Sequence, residues 1–208
     1  NVLRGIQFSA PEKIYLGLYT SDPTDTGTGT EVSYSGYTRV EVSFAAPAFD
    51  ASLNAYAITT TTTATFAQIP SGASPGTATH IGLHDSQVGG NMLLRGVLDE
   101  PVTLDAGETP QLIAGEIKFM TSGNLSNYFR AAMFNILREQ SINGFTPYVA
   151  LFNGVNEIVA DNYTRQPVTF AAPAESETGI MYIVNSATVF FNRASTSWGA
   201  YDTVKIMD

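Results

Sequence analysis

Hydrophobic and polar positions alternate along this chain in short runs separated by turn-forming residues, which is the pattern of strands rather than helices. Ile14 to Thr20 (Ile-Tyr-Leu-Gly-Leu-Tyr-Thr) is apolar on both faces, as a strand covered on each side requires. A loop rich in Asp, Thr, Gly and Pro follows from Ser21 to Gly36. From Tyr37 to Phe44 the alternation puts Tyr37, Arg39, Glu41 and Ser43 on one face and Thr38, Val40, Val42 and Phe44 on the other. Ala45-Ala46-Pro47 is expected to end that strand, because proline cannot donate to a ladder. Ala57 to Ala67 is threonine-rich and reads as β. Further strands are predicted at Thr79 to His84, Asn91 to Leu98, Pro101 to Leu104 and Leu112 to Met120, with turns at residues 71–76, 87–90 and 105–108. One stretch breaks the rule. Tyr128, Phe129, Ala132, Met133, Ile136 and Leu137 recur at helical spacing, with Ser126 or Asn127 placed to cap the start.

The twelve residues Tyr37 to Ala48 return at Tyr163 to Ala174 with nine identities, an offset of 163 − 37 = 126. This is a duplicated unit rather than a short tandem repeat. Ile14 to Thr20 is echoed by Tyr148 to Phe152, and Ser186 to Phe191 is expected to answer the threonine-rich strand. Ser195 to Gly199 answers the turn before His80, and Val204 to Asp208 answers Ile81 to Asp85. Tyr15 and Tyr37 lie 22 positions apart, Tyr148 and Tyr163 only 15, so the second copy shortens the intervening loop by seven residues and marks it as surface. Asn1-Val2-Leu3-Arg4 resembles Asn135-Ile136-Leu137-Arg138, the end of the helical stretch, so the first copy reads as cut at its N-terminus. The second has no counterpart of Gly89 to Met120. The expected fold is mainly β, two tandem antiparallel sandwich units with a short connecting helix, residues 1–122 and 123–208, the second incomplete at its C-terminus.

The 208 residues are 44% hydrophobic and 14% charged, too rich in core-formers for disorder. A net charge of −9 argues against a nucleic-acid face. Cysteine is absent, which removes disulfides and thiolate metal sites. No apolar run reaches membrane-spanning length, and no signal peptide is visible. A chain that opens on Asn1 is either processed or part of something longer.

Candidate chemistry is sparse. His80 and His84, the two histidines, are spaced to share a strand face, yet only Asp85 is near as a third ligand, and half-buried strand histidines are the plainer reading. Asp22, Asp25 and Glu31 lie in a glycine-rich loop and have the oxygen chemistry calcium takes, but no EF-hand spacing, and Asp with Gly and Pro is ordinary turn composition. Asp99, Glu100, Asp105 and Glu108 are turn acids without an aromatic platform for glycoside chemistry. No nucleophile elbow, phosphate loop or dinucleotide fingerprint is present, so neither a catalytic site nor a cofactor is expected. Arg39 and Arg165 recur beside Tyr37 and Tyr163. Because both copies keep the pair while the loops diverge, the arginines read as scaffold, tying the strand to a neighbouring carbonyl or carboxylate, with Phe44 and Phe170 as buried anchors.

The first copy resembles a β-rich repeat of tailed-bacteriophage virion proteins of the tail-fibre or minor structural type. The resemblance is carried by Leu16-Gly17-Leu18-Tyr19-Thr20-Ser21-Asp22-Pro23, Gly29-Thr30-Glu31-Val32-Ser33, Gly36-Tyr37-Thr38-Arg39, Thr79-His80-Ile81-Gly82-Leu83, Gly89-Gly90-Asn91-Met92-Leu93-Leu94 and Leu104-Asp105-Ala106-Gly107-Glu108. It implies a non-enzymatic module on the phage particle, on tail or head, with other virion proteins as partners and a homo-oligomeric assembly. The alternative is a receptor- or glycan-binding adhesin on the same scaffold. That reading places contact with a host-surface glycan on the Ser21 to Gly36 loop (Asp22, Asp25, Glu31, Tyr34) and on Trp198.

Overall fold

The computed structural model describes residues 2–121, 123 and 125–207. It is a β protein of antiparallel sheets with one short α-helix. The chain divides into two compact units, Ser9–Gln140 and a second made of Asn1–Phe8 with Ser141–Asp208. Of the break expected at residues 121–124, Ser122 and Asn124 lie outside the described residues, as do Asn1 and Asp208 at the ends.

In the Ser9–Gln140 unit the main sheet runs in the order Val40–Val42, Ile14–Tyr19, Gly76–His84, Met92–Leu104. Ile14, Leu16 and Leu18 are buried on its inner face, and Ile81 and Leu83 stand beside them from the neighbouring strand. A second layer is formed by Ala48–Asp50, Ala55–Thr59 and Lys118–Thr121, with Ala64–Thr65 paired to Gln111–Leu112. Phe44, Ile58, Phe66, Ile69, Leu104, Leu112 and Ile117 fill the space between the layers.

The predicted 37–44 strand is shorter than its alternation suggests. Only Val40–Val42 joins the ladder, and Phe44 makes an isolated bridge to Thr60. The amide of Ser43 is bound by the Thr62 hydroxyl instead of a strand carbonyl, and Tyr37 N–H closes a turn onto Tyr34 O. The chain is β again at Ala48–Asp50, directly after Pro47, so the proline interrupts pairing without ending it. The threonine-rich stretch divides into Ala55–Thr59 and Ala64–Thr65. The runs at 91–98 and 101–104 fuse into one 13-residue strand, Met92–Leu104. Pro101 is accommodated there because the strand is a sheet edge, where a missing donor breaks no ladder bond. The 112–120 run splits into Gln111–Leu112 and Lys118–Thr121.

The helix forms at Asn127–Asn135, capped by Ser126, whose hydroxyl accepts from Phe129 N–H. A 3-10 turn, Ile136–Arg138, extends it. Its buried face is rotated from the one predicted: Arg130, Phe134 and Leu137 are inside, while Tyr128 and Met133 face solvent. Phe134 and Leu137 pack into the core of the Ser9–Gln140 unit, so the helix completes that unit rather than opening the next. Arg130 is held inside by Asn127 Oδ1 and the Gly123 carbonyl.

The other unit is built around Tyr148–Asn153, flanked on one side by Asn156–Glu157 and Gln166–Pro167 and on the other by Thr203–Met207. Val2–Arg4 is a 3-10 turn like Ile136–Arg138, and Phe8 bridges to Ile142. The strand expected at 186–191 is absent, although Phe170 still bridges to Asn185 as Phe44 does to Thr60. The matching stretch of the larger unit holds Ala64–Thr65, which pairs with Gln111–Leu112; among the described residues no strand pairs with 186–191. A small hairpin, Ala174–Glu175 with Met181–Tyr182, lies nearby in sequence.

Candidate functional site: two tyrosine–arginine–glutamate clamps and a polar cleft

Tyr37 and Arg39 meet Glu31 at the edge of the main sheet. The Glu31 carboxylate accepts from Arg39 through two parallel bonds, Nε to Oε1 at 2.9 Å and Nη2 to Oε2 at 2.8 Å. The Tyr37 hydroxyl accepts from Leu18 N–H at 2.9 Å and donates to Glu31 Oε1 at 3.2 Å. Arg39 Nη1 donates to the carbonyls of Ser86 and Gly89, fastening the 85–91 turn to the same point. The Arg39 side chain is only 11% exposed, and a bidentate ion pair at that depth is geometrically fixed rather than a drifting surface contact. Burial pushes the Tyr37 hydroxyl well above its ordinary value, so it remains a neutral donor and acceptor at any physiological pH. Arg39 is held up by Glu31 against the opposing effect of desolvation.

The same three residue types meet in the other unit. Arg165 binds Glu157 through Nε and Nη2, both at 3.0 Å, and the Tyr163 hydroxyl accepts from Leu151 N–H at 2.8 Å and donates to Glu157 at 3.3 Å. Arg165 holds the Glu157 carboxyl below the usual range. Each tyrosine ring is stacked on a phenylalanine, Tyr37 on Phe66 and Tyr163 on Phe191. A second aromatic meets each edge-on: Tyr34 against Tyr37, Trp198 against Tyr163. Tyr34 donates its hydroxyl to Ala67 O and Trp198 its indole N–H to Asp161 O, so both polar ends are already engaged. Tyr34 and Trp198, the aromatics of the alternative adhesin reading, pack against the clamp tyrosines.

Strand register agrees between the units as well. Tyr19, Leu18, Gly17, Leu16 and Tyr15 face His80, Ile81, Gly82, Leu83 and His84; Phe152, Leu151, Ala150, Val149 and Tyr148 face Thr203, Val204, Lys205, Ile206 and Met207. Tyr19 bridges to Glu31 and Phe152 pairs with Glu157. The seven-residue difference therefore falls between the strand and the glutamate, where the 20–30 loop stands in place of the tight Asn153–Asn156 turn. The glutamate was the partner the sequence concealed. Glu157 stands 126 residues after Glu31, the offset of the repeat itself, but its neighbours had diverged.

Around the first clamp the long loop encloses a cleft of about 350 Å³ lined by Tyr19, Asp25, Thr26, Gly27, Gly29, Glu31, Arg39, His84 and residues 89–92. Asp22 and Asp25 are bound by Arg95, at 2.6 and 3.1 Å, and Glu31 by Arg39, so guanidinium groups hold the acids considered as calcium ligands. Among the described residues no three His, Asp or Glu side chains gather as a metal set. His80 and His84 part company: His80 Nδ1 pairs with the Thr79 hydroxyl, while His84 is buried with Nε2 on the Tyr19 hydroxyl at 2.9 Å. Asp99, Glu100, Asp105 and Glu108 are exposed.

Residues 1–120, which contain this clamp and its cleft, match the family model of the podophage GP4 fiber I protein gp80. The chain belongs to that family. Membership makes it a structural protein of the phage particle, of the tail-fibre type, associated with other virion components. No curated protein gives a match. The second clamp, Glu157 with Tyr163 and Arg165, lies beyond the matched residues of this fibre protein.

Proposed function

We propose that the chain is a non-enzymatic fibre component built from duplicated β modules, each locked by one tyrosine–arginine–glutamate clamp. The observation that carries this reading is the clamp itself: the same donors and acceptors recur at a constant offset of 126 residues, on strands paired in the same register. In each module the tyrosine hydroxyl ties the central strand to the glutamate, and the arginine fixes that glutamate by two bonds. Such a bidentate contact adds geometric specificity that a single exposed ion pair lacks. Partners on this reading are other virion proteins and further copies of the chain. The homo-oligomeric part is supported by the Thr203–Met207 strand, which pairs on one side alone among the described residues and leaves Val204 and Ile206 exposed. In the other unit the matching strand is paired on both sides, and its Ile81 and Leu83 are buried in the core between the layers. The charge of −9 opposes nucleic acid, and no helix among the described residues is long and apolar enough to cross a membrane.

Cryo-electron microscopy of the purified particle tests the assignment. Density for both β units within a fibre is expected. Recovery of the protein only from infected cells, with none on the particle, would overturn it.

A further inference from the structure

The cleft beside the first clamp contains more chemistry than the clamp needs. Two glycines create it. A Cβ on Gly17 would stand 2.8 Å from Glu31 Oε1, and one on Gly82 would stand 2.9 Å from both His84 Nε2 and the Tyr19 ring. The missing Cβ atoms leave room for the side chains of Glu31, Arg39, Tyr19 and His84. The walls are held in place before any ligand arrives. Asp85 binds the backbone and side-chain amides of Asn91 across the 85–91 turn, and Arg95 binds Asp22 and Asp25 in the opposite loop.

The charges in the cleft are already matched. Arg39 directs Nε and Nη2 to Glu31 and Nη1 to two carbonyls, leaving little to offer an anion. Asp25 and Glu31 each have a guanidinium partner, which removes the demand for a cation. What remains is a mixed lining of hydroxyl, amide and glycine backbone groups with one apolar wall, Met92. On that lining sits His84, 3% exposed, whose Nδ1 has no hydrogen-bond partner. That nitrogen is enclosed by protein atoms, and a hydroxyl group brought against it suits either tautomer, since it both donates and accepts.

The other unit supplies an internal comparison. Its strands pair in the same register with Phe152, Ala150, Lys205 and Met207 where the first has Tyr19, Gly17, Gly82 and His84, and Lys205 lies 3.9 Å over the Phe152 ring. The sheet therefore forms without the polar set, and the fold alone does not account for it. We propose that this cleft binds a small neutral polyhydroxylated ligand, one sugar residue in kind. The proposal deepens the recognition reading of the 21–36 loop and is independent of the scaffold reading, which stands whether or not sugar binds.

The test is saturation-transfer NMR on the full chain with glucose, galactose, mannose, rhamnose and N-acetylglucosamine, against phosphate and acetate. Two variants accompany it: His84→Phe, and a loop exchange replacing residues 20–30 by the Asn-Gly-Val-Asn turn of residues 153–156. At least one neutral sugar is expected to bind in the millimolar range, weakened about tenfold or more by His84→Phe and lost on loop exchange. The anions are expected to give no signal. Preference for a methyl glycoside over the free sugar would mark a residue within a polysaccharide; the reverse would mark a free sugar, and either supports the site. No binding of any neutral sugar up to about 10 mM overturns the proposal. Undiminished binding after loop exchange, or phosphate competing as well as the sugars, overturns it too. Intact clamp amide protection in a chain that binds nothing would reject the cleft while leaving the fibre role untouched.

Discussion

Tyr37 joins three things that the sequence leaves apart: the Leu18 amide, the Glu31 carboxylate and the Phe66 ring. Tyr37→Phe keeps the stacking and removes both hydrogen bonds, leaving the partly buried Leu18 N–H without its acceptor. A loss of about 1–3 kcal/mol is expected in chemical denaturation; an unchanged midpoint would show the hydroxyl to be idle. Phe44, 7% exposed, is expected to cost about 3–5 kcal/mol when cut to alanine, and Phe170, only half-buried, clearly less. The alternation of the sequence identified Phe44 as inward-facing, but it assigned Phe170 the same burial because the repeat is nearly identical there. Burial is decided by what lies opposite, and that is written elsewhere in the chain. For the second clamp the signature is pH. Arg165 holds the Glu157 carboxyl below its ordinary value of 4.5, so the folded state binds this proton more weakly than the unfolded chain. The associated stability is present above about pH 4.5 and is lost as pH falls through the depressed value. Glu157→Gln is expected to be less stable at pH 7 and to flatten the acid limb of a stability–pH profile; an acid limb identical to that of the parent chain would place the titration elsewhere.

At the scale of elements, strands with a continuous apolar run were legible. Ile14–Tyr19, Gly76–His84 and Tyr148–Asn153 lie where the apolar runs put them, and the helix begins at the serine that caps it. Elements whose limits depend on competing side chains were not. The 37–44 strand is cut short because Thr62 captures the Ser43 amide, and the two runs at 91–104 fuse because an edge strand tolerates Pro101. The helix face was misread for a related reason: Arg130 can lie inside only because Asn127 and the Gly123 carbonyl receive its guanidinium. The long 20–30 loop invites a direct trial. Tyr19 bridges to Glu31 across it as Phe152 pairs with Glu157 across four residues, and loop closure depends only weakly on length. Exchanging it for Asn-Gly-Val-Asn is expected to change stability by less than about 2 kcal/mol. A larger loss would show the Asp22–Arg95 and threonine contacts of the loop to be structural.

For the whole molecule, the family match covers residues 1–120 and the fibre identity rests there, while the claim of duplicated modules rests on the two clamps. Half of that claim could be seen in the repeated Tyr-Thr-Arg; the other half, the glutamates at 31 and 157, became visible only when the side chains met. Sedimentation tests the assembly: association at micromolar concentration, weakened by Val204→Lys or Ile206→Lys, is expected from the open Thr203–Met207 edge. A monomer at all concentrations would exclude it. The module claim itself is tested most directly by amide hydrogen exchange at Leu18 and Leu151, each bound by its own tyrosine hydroxyl. In the intact chain carrying Glu31→Gln, protection at Leu18 is expected to fall sharply while Leu151 keeps its parental value, and Glu157→Gln is expected to do the reverse. Equal loss at both amides in either variant would contradict two modules with separate clamps.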